Sequence, residues 1–173
     1  MWGRLTRAEF DILHAVLRGG TDQQRYWVVN EISFSKGHRV RRALIEALAD
    51  TTSPAFVRGW AAERLHMHIS PKTVDACLRA IEDPSPEVRL WAVYTLGYAA
   101  SERPVFRDTA IPVLERMLAD TGVVPGSWAV RREAQTRLAN LRGEDDSNRL
   151  QAEIQGILNG AIRSGSHYSS AGC

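Results

Sequence analysis

Apolar residues recur along this chain in paired stripes with helical spacing. Leu13/Leu17, Leu44/Leu48, Cys77/Ile81 and Leu114/Leu118 each lie four positions apart, and Phe10, Val74 and Ile111 extend three of the stripes by one turn. Spacings of three and four put such residues on one face of a helix. Downstream of each stripe lies a second segment, and the four segments align without gaps. They are Arg25-Tyr26-Trp27-Val28-Val29-Asn30-Glu31-Ile32, Arg58-Gly59-Trp60-Ala61-Ala62-Glu63-Arg64-Leu65, Arg89-Leu90-Trp91-Ala92-Val93-Tyr94-Thr95-Leu96 and Arg131-Arg132-Glu133-Ala134-Gln135-Thr136-Arg137-Leu138. Successive leading arginines are 33, 31 and 42 residues apart. A repeat of this length signals stacked supersecondary units. The pattern predicts helix, tight turn, helix in four units over about 6–33, 38–68, 71–98 and 109–142. Leu150, Ile154, Ile157 and Leu158 predict a terminal helix over about 147–163 that would cap the last unit, and the polar residues 164–173 read as a flexible tail.

The turn residues agree with this division. Thr6 with Glu9 and Thr21 with Gln24 have capping-box spacing. Ser53-Pro54 and Ser85-Pro86 offer a cap hydroxyl followed by proline at the first helical position, and Ser127 takes the cap position of the fourth unit. Pro71 and Pro112 are expected near helix starts, where a missing amide is tolerated. Ser101 to Asp108 reads as an inter-repeat loop carrying Val105 and Phe106, and the long turn from Thr121 to Gly126 is expected to expose Val123 and Val124.

On these residues the chain resembles the HEAT-repeat family, in particular its short bacterial form, which also occurs in phycobilisome lyases. Asp83-Pro84-Ser85-Pro86-Glu87-Val88-Arg89 through Leu96-Gly97 carries the clearest match, and the resemblance extends over roughly residues 6 to 142. It implies an all-α, right-handed α-solenoid of about four helical hairpins, with first helices convex and second helices concave. One amphipathic hairpin cannot bury its own apolar face, so neighbours must cover it. The resemblance also implies that the leading arginine pairs with the aspartate of the turn inside its own repeat. Asp50, Asp83 and Asp120 precede Arg58, Arg89 and Arg131, and the first unit has only Asp22 near Arg25.

Composition narrows the class further. With 173 residues, 44% hydrophobic and 24% charged, the chain fits one ordinary globular domain. No apolar run approaches the roughly 18 residues of a membrane span, and the amino terminus lacks a signal-peptide core, so a cytoplasmic location is expected. Net charge is only +2, and the basic residues are arginine except for Lys36 and Lys72. Cys77 sits in an apolar stripe and reads as a small buried hydrophobe, while Cys173 ends the polar tail.

Candidate binding residues come from the second segments. Trp27, Trp60 and Trp91 occupy one repeat position that is usually small in the resembled family. They form either an aromatic stripe along the groove or packing between repeats. Arg25, Arg58, Arg89 and Arg131, together with Tyr94, would join a binding stripe, or the arginines form an internal ion-pair ladder. Val123 and Val124 offer a second apolar contact. His66 and His68 are two residues apart and diverge on a helix, and no metal motif, Walker loop, GxGxxG or GxSxG accompanies them. No cofactor and no enzyme are therefore expected. The reading is a non-catalytic scaffold that holds a protein partner on its concave helices. The first alternative is a nucleic-acid-binding module on the Arg/Trp face. The second is an enzyme resembling a chromophore lyase or a base-processing enzyme.

Overall fold

The computed structural model describes residues 5–144 and 155–156. Consecutive helices pack in pairs: α1 (Arg7–Gly19) on α2 (Asp22–Ser33), α3 (His38–Ala49) on α4 (Ala55–Arg64), α5 (Pro71–Ala80) on α6 (Pro86–Glu102), and α7 (Arg107–Met117) on α8 (Val130–Arg142). Short 3-10 turns, Leu65–His68 and Pro104–Phe106, follow α4 and α6. The described residues contain no strand, only an isolated bridge between Val123 and Ala129. The expected terminal helix and tail lie outside the described residues, apart from the helical Gln155 and Gly156.

The second helix of each pair packs on the second helix of the next, α2 on α4, α4 on α6 and α6 on α8. Their inner residues carry the core: Val28, Val29 and Ile32, then Val57, Ala61 and Leu65, then Val88, Ala92, Val93 and Leu96, then Val130, Ala134 and Leu138. Small residues at these positions let the axes approach. Gly97 is the clearest case, because a Cβ there would overlap the Arg137 side chain that α8 lays across α6. Thr95 bridges the same layers, donating its hydroxyl to the Ala62 carbonyl at 2.7 Å.

Both threonine capping boxes form as the spacing predicts. The proline turns differ. Ser53 and Ser85 give no side-chain cap, because an aspartate already organises each turn. Asp50 accepts from the Thr52 amide at 3.0 Å, Asp83 from the Ser85 amide at 2.9 Å and Asp120 from the Gly122 amide at 2.7 Å. The Ser53 hydroxyl instead donates to Asp50 and accepts from Arg25. Ser127 does not cap α8 either, since that helix starts three residues later behind Ala129. Pro71 does open α5, whereas Pro112 lies inside α7, which begins further upstream than the stripe suggested. The loop around Val105 shrinks accordingly to one 3-10 turn, with Val105 exposed and Phe106 packed on the core.

Cys77 is fully buried, and burial pushes its thiol up to about 12, so it remains a protonated apolar side chain at neutral pH. His68 is buried as well, and its Nε2 lies 2.8 Å from the Ser33 carbonyl, so that nitrogen carries the proton. Burial holds the His68 pKa below the ordinary histidine value, and the positive charges of Lys36, Arg41 and His66 add to the effect. The fold thus favours the neutral ring. Its contribution is complete above the unfolded pKa of about 6.5 and is lost as pH falls below that value. His68→Gln should flatten the acid limb of a melting-temperature profile below about pH 6.5 relative to wild type. Parallel limbs for the two proteins would exclude this role.

Candidate functional site

Each second helix presents one outward stripe at helical spacing. On α6 it is Glu87, Trp91, Tyr94 and Tyr98, on α4 Phe56, Trp60 and Glu63, on α2 Tyr26 and Asn30, and on α8 Arg137 above the buried Glu133. The aromatic members touch one another in series. Ring centroids are 5.9 Å apart for Phe56–Tyr26, 5.4 Å for Tyr26–Trp60, 6.2 Å for Trp60–Trp91, 5.7 Å for Trp91–Tyr94 and 6.4 Å for Tyr94–Tyr98. His66 sits edge-on to Tyr94 and Tyr98, at 5.5 and 5.1 Å. The Trp60–Trp91 pair meets edge to face, the arrangement the ring quadrupole prefers.

Two guanidinium groups lie over this row. Arg64 stacks 4.5 Å from the Trp60 centroid and also donates to Asn30 at 2.8 Å. Arg137 stacks 4.3 Å from Tyr94 and is held by the buried Glu133 at 2.6 Å. Glu133 also accepts from the Trp128 indole at 2.9 Å. Glu63 lies between Arg64 (3.3 Å) and His66 (3.6 Å). Trp60 Nε1 is buried without a hydrogen-bond partner, beside an Arg64 Nε and a Glu63 Oε2 that face each other off line. Burial raises the carboxyl pKa of Glu87, and Tyr94 is likewise shifted up, chiefly by desolvation.

The predicted residues divide on this face. Trp60 and Trp91 are half-buried and wedge the seam between α4 and α6. A Cβ on Gly59 would come within 3.1 Å of the Trp91 ring. Trp27 is 54% exposed and makes no ring contact among the described residues, although it occupies the equivalent repeat position. Its neighbour Tyr26 meets Trp60 instead. Tyr26, Tyr98, Arg64 and Arg137 were not singled out from sequence, although the spacing of 91, 94 and 98 on one helix face could have shown Tyr98.

The arginines do form a ladder, but its register is shifted by one repeat. Arg25 pairs with Asp50 (3.7 Å), Arg58 with Asp83, and Arg89 with Asp120 through two bonds of 2.7 and 3.0 Å. Each arginine therefore pairs with the aspartate in the turn of the next repeat, not with one in its own. The Arg89 guanidinium holds the Asp120 carboxyl below the usual carboxylate range. The same rungs anchor turns, because Arg58 donates to the Ser53 carbonyl and Arg89 to the Asp83 and Pro84 carbonyls. Arg131 has no following repeat among the described residues, and there it is exposed and without an ion-pair partner. Of the two valines, Val123 is exposed while Val124 turns in and packs against the core. No cluster of three metal-ligating side chains occurs among the described residues.

Stacked helical pairs define a helical-repeat arrangement. Residues 42–124, from α3 to the turn before α8, match the family model described as HEAT repeats. That stretch of the chain is similar to HEAT repeats, which generally serve as protein-interaction scaffolds. No curated protein matches the chain. Among the described residues no helix is long and apolar enough to cross a membrane.

Proposed function

We propose that this chain is a non-catalytic, cytoplasmic scaffold that holds a protein partner against its second-helix face. We propose also that the array is a right-handed solenoid with that face concave, of the short bacterial HEAT type, closed by a helix over about 147–163. The observation that supports the binding role is the continuous ring series from Phe56 to Tyr98, half-exposed and overlaid by Arg64 and Arg137. Aromatic side chains and arginine are the residues enriched where protein interfaces carry their binding energy, and lysine is depleted there. Two of the carboxylates beside the rings are paired with arginine, Glu63 with Arg64 and Glu133 with Arg137, as on a recognition surface.

Trp27 provides the test that avoids the fold. It is exposed and outside the ring series, so Trp27→Ala should leave the melting temperature within about two degrees. Affinity purification at native expression level should yield a stoichiometric protein partner, and the variant should weaken that complex at least tenfold in a titration. A partner held equally by wild type, Trp27→Ala and Tyr98→Ala would place the binding surface elsewhere.

A further inference from the structure

The first helices begin, and the second helices end, along one edge of the array, where the inter-repeat connections run. Two cavities open on this edge. One, of about 360 Å³, is lined by Arg7, Phe10, Lys36, His38 and Arg39. The other, of about 340 Å³, is lined by Lys36, His66, Tyr98, Glu102 and Arg103. Lys36 forms a wall of both, so they make one groove across the connections after α2, α4 and α6. Its titratable lining is four cations, two histidines and a single carboxylate, in a chain whose net charge is only +2. Arg7 faces Asp11 at 3.8 Å, and Lys36 reaches only the Met67 carbonyl. Arg39 and Arg103 are exposed, with no carboxylate in contact among the described residues.

The position of Arg39 is unfavourable for folding. It is the second residue of α3, whose first turn contains no acidic side chain. The positive end of the helix dipole favours an anion there and is opposed by a cation. On the opposite edge the turn aspartates Asp50, Asp83 and Asp120 are each paired with an arginine of the ladder. Lys36, Arg39 and Arg103 thus gather positive charge along one groove, which an anionic ligand would complement. Tyr98 and His66 also present rings beside these cations. Cations that track a backbone beside rings that accept bases are the two elements of single-strand recognition.

We infer that the Lys36–Arg39–Arg103 groove binds single-stranded nucleic acid, through its phosphates and through stacking on Tyr98. This surface is separate from Trp27, and its function does not depend on the protein-partner role. The probe is a fluorescein-labelled twenty-residue oligothymidylate titrated with the full chain and read by anisotropy. Four phosphate contacts on a single strand give a salt slope near −3, so affinity should fall about fifty-fold between 50 and 200 mM salt. Arg39→Glu should weaken binding at least tenfold while its melting temperature is unchanged or higher, because it places an acid at a helix start. Tyr98→Ala should weaken binding with little change in the salt slope, and Trp27→Ala should bind as wild type. No binding at 50 mM salt would overturn the inference. Affinity independent of salt, full binding by the combined Lys36→Glu/Arg39→Glu/Arg103→Glu variant, or equal displacement by polyglutamate would do so as well.

Discussion

Arg58→Met is expected to destabilise the protein by about 3–5 kcal/mol, the loss typical of removing one member of a buried ion pair. Arg58 and Asp83 are both almost entirely enclosed, with side-chain exposures of 9% and 12%. Removing the guanidinium leaves a buried carboxylate and also frees the Ser53 carbonyl that Arg58 Nε bonds at 3.1 Å. Asp83→Asn keeps the turn, because its amide oxygen still accepts from the Ser85 amide, but removes the charge. The two changes together should therefore cost well under the sum of the single losses, with a coupling of about 1.5 kcal/mol or more. Arg25→Met is the control. The Arg25–Asp50 rung is longer and more open, and should contribute under about 1 kcal/mol. Urea titrations of the four variants measure all of this. A loss below about 1 kcal/mol for Arg58→Met, or strict additivity, would show that the ladder does not hold the repeats together.

Trp60→Ala should cost about 3 kcal/mol, the low end for removing a core tryptophan, because the ring is half-exposed. It removes the contacts to Tyr26 and Trp91 and the platform beneath Arg64. Trp60→Phe should cost far less, about 1 kcal/mol. Phenylalanine keeps much of the stacking, and it eliminates a buried indole N–H that has no acceptor, a group that itself costs about 1–3 kcal/mol. The contrast between the two substitutions is the informative measurement. Equal losses would mean that the indole N–H is satisfied in solution, and an alanine variant as stable as wild type would move Trp60 from the seam to the free surface. Trp91→Ala should resemble Trp60→Ala, whereas Trp27→Ala should change stability by less than about 0.5 kcal/mol.

These expectations show how far repeat position alone can be trusted. Trp27, Trp60 and Trp91 are indistinguishable by spacing, yet two wedge between helices and the third is exposed. The difference lies in the neighbours, since in the first pair Tyr26 reaches Trp60 in place of its neighbour Trp27. The basic groove differs in kind. Lys36-Gly37-His38-Arg39-Val40-Arg41-Arg42 is visible as a charge run, but Arg103 and Tyr98 join it only through the stacking of repeats.

Local chemistry by itself determined the helices, their pairing and most of the buried stripe. Spacings of three and four state which residues share a face, and a threonine three residues before an acid or amide states where a helix begins. Those interactions close within a few residues, so sequence contains both partners. The partner of each ladder arginine lies 25 residues on for Arg25 and Arg58 and 31 on for Arg89, and two aspartates are available to every inner rung. Stacking selects the next turn because the side chain extends across the seam between repeats. The aspartate turns are as local as the caps, each carboxylate bonding an amide two residues on. Tertiary structure decided that each of those turns is tied to the preceding repeat's arginine. It also decided which rings face out and where the unmatched cations gather. Each of these depends on distances between repeats, and the order of residues along one chain does not contain them.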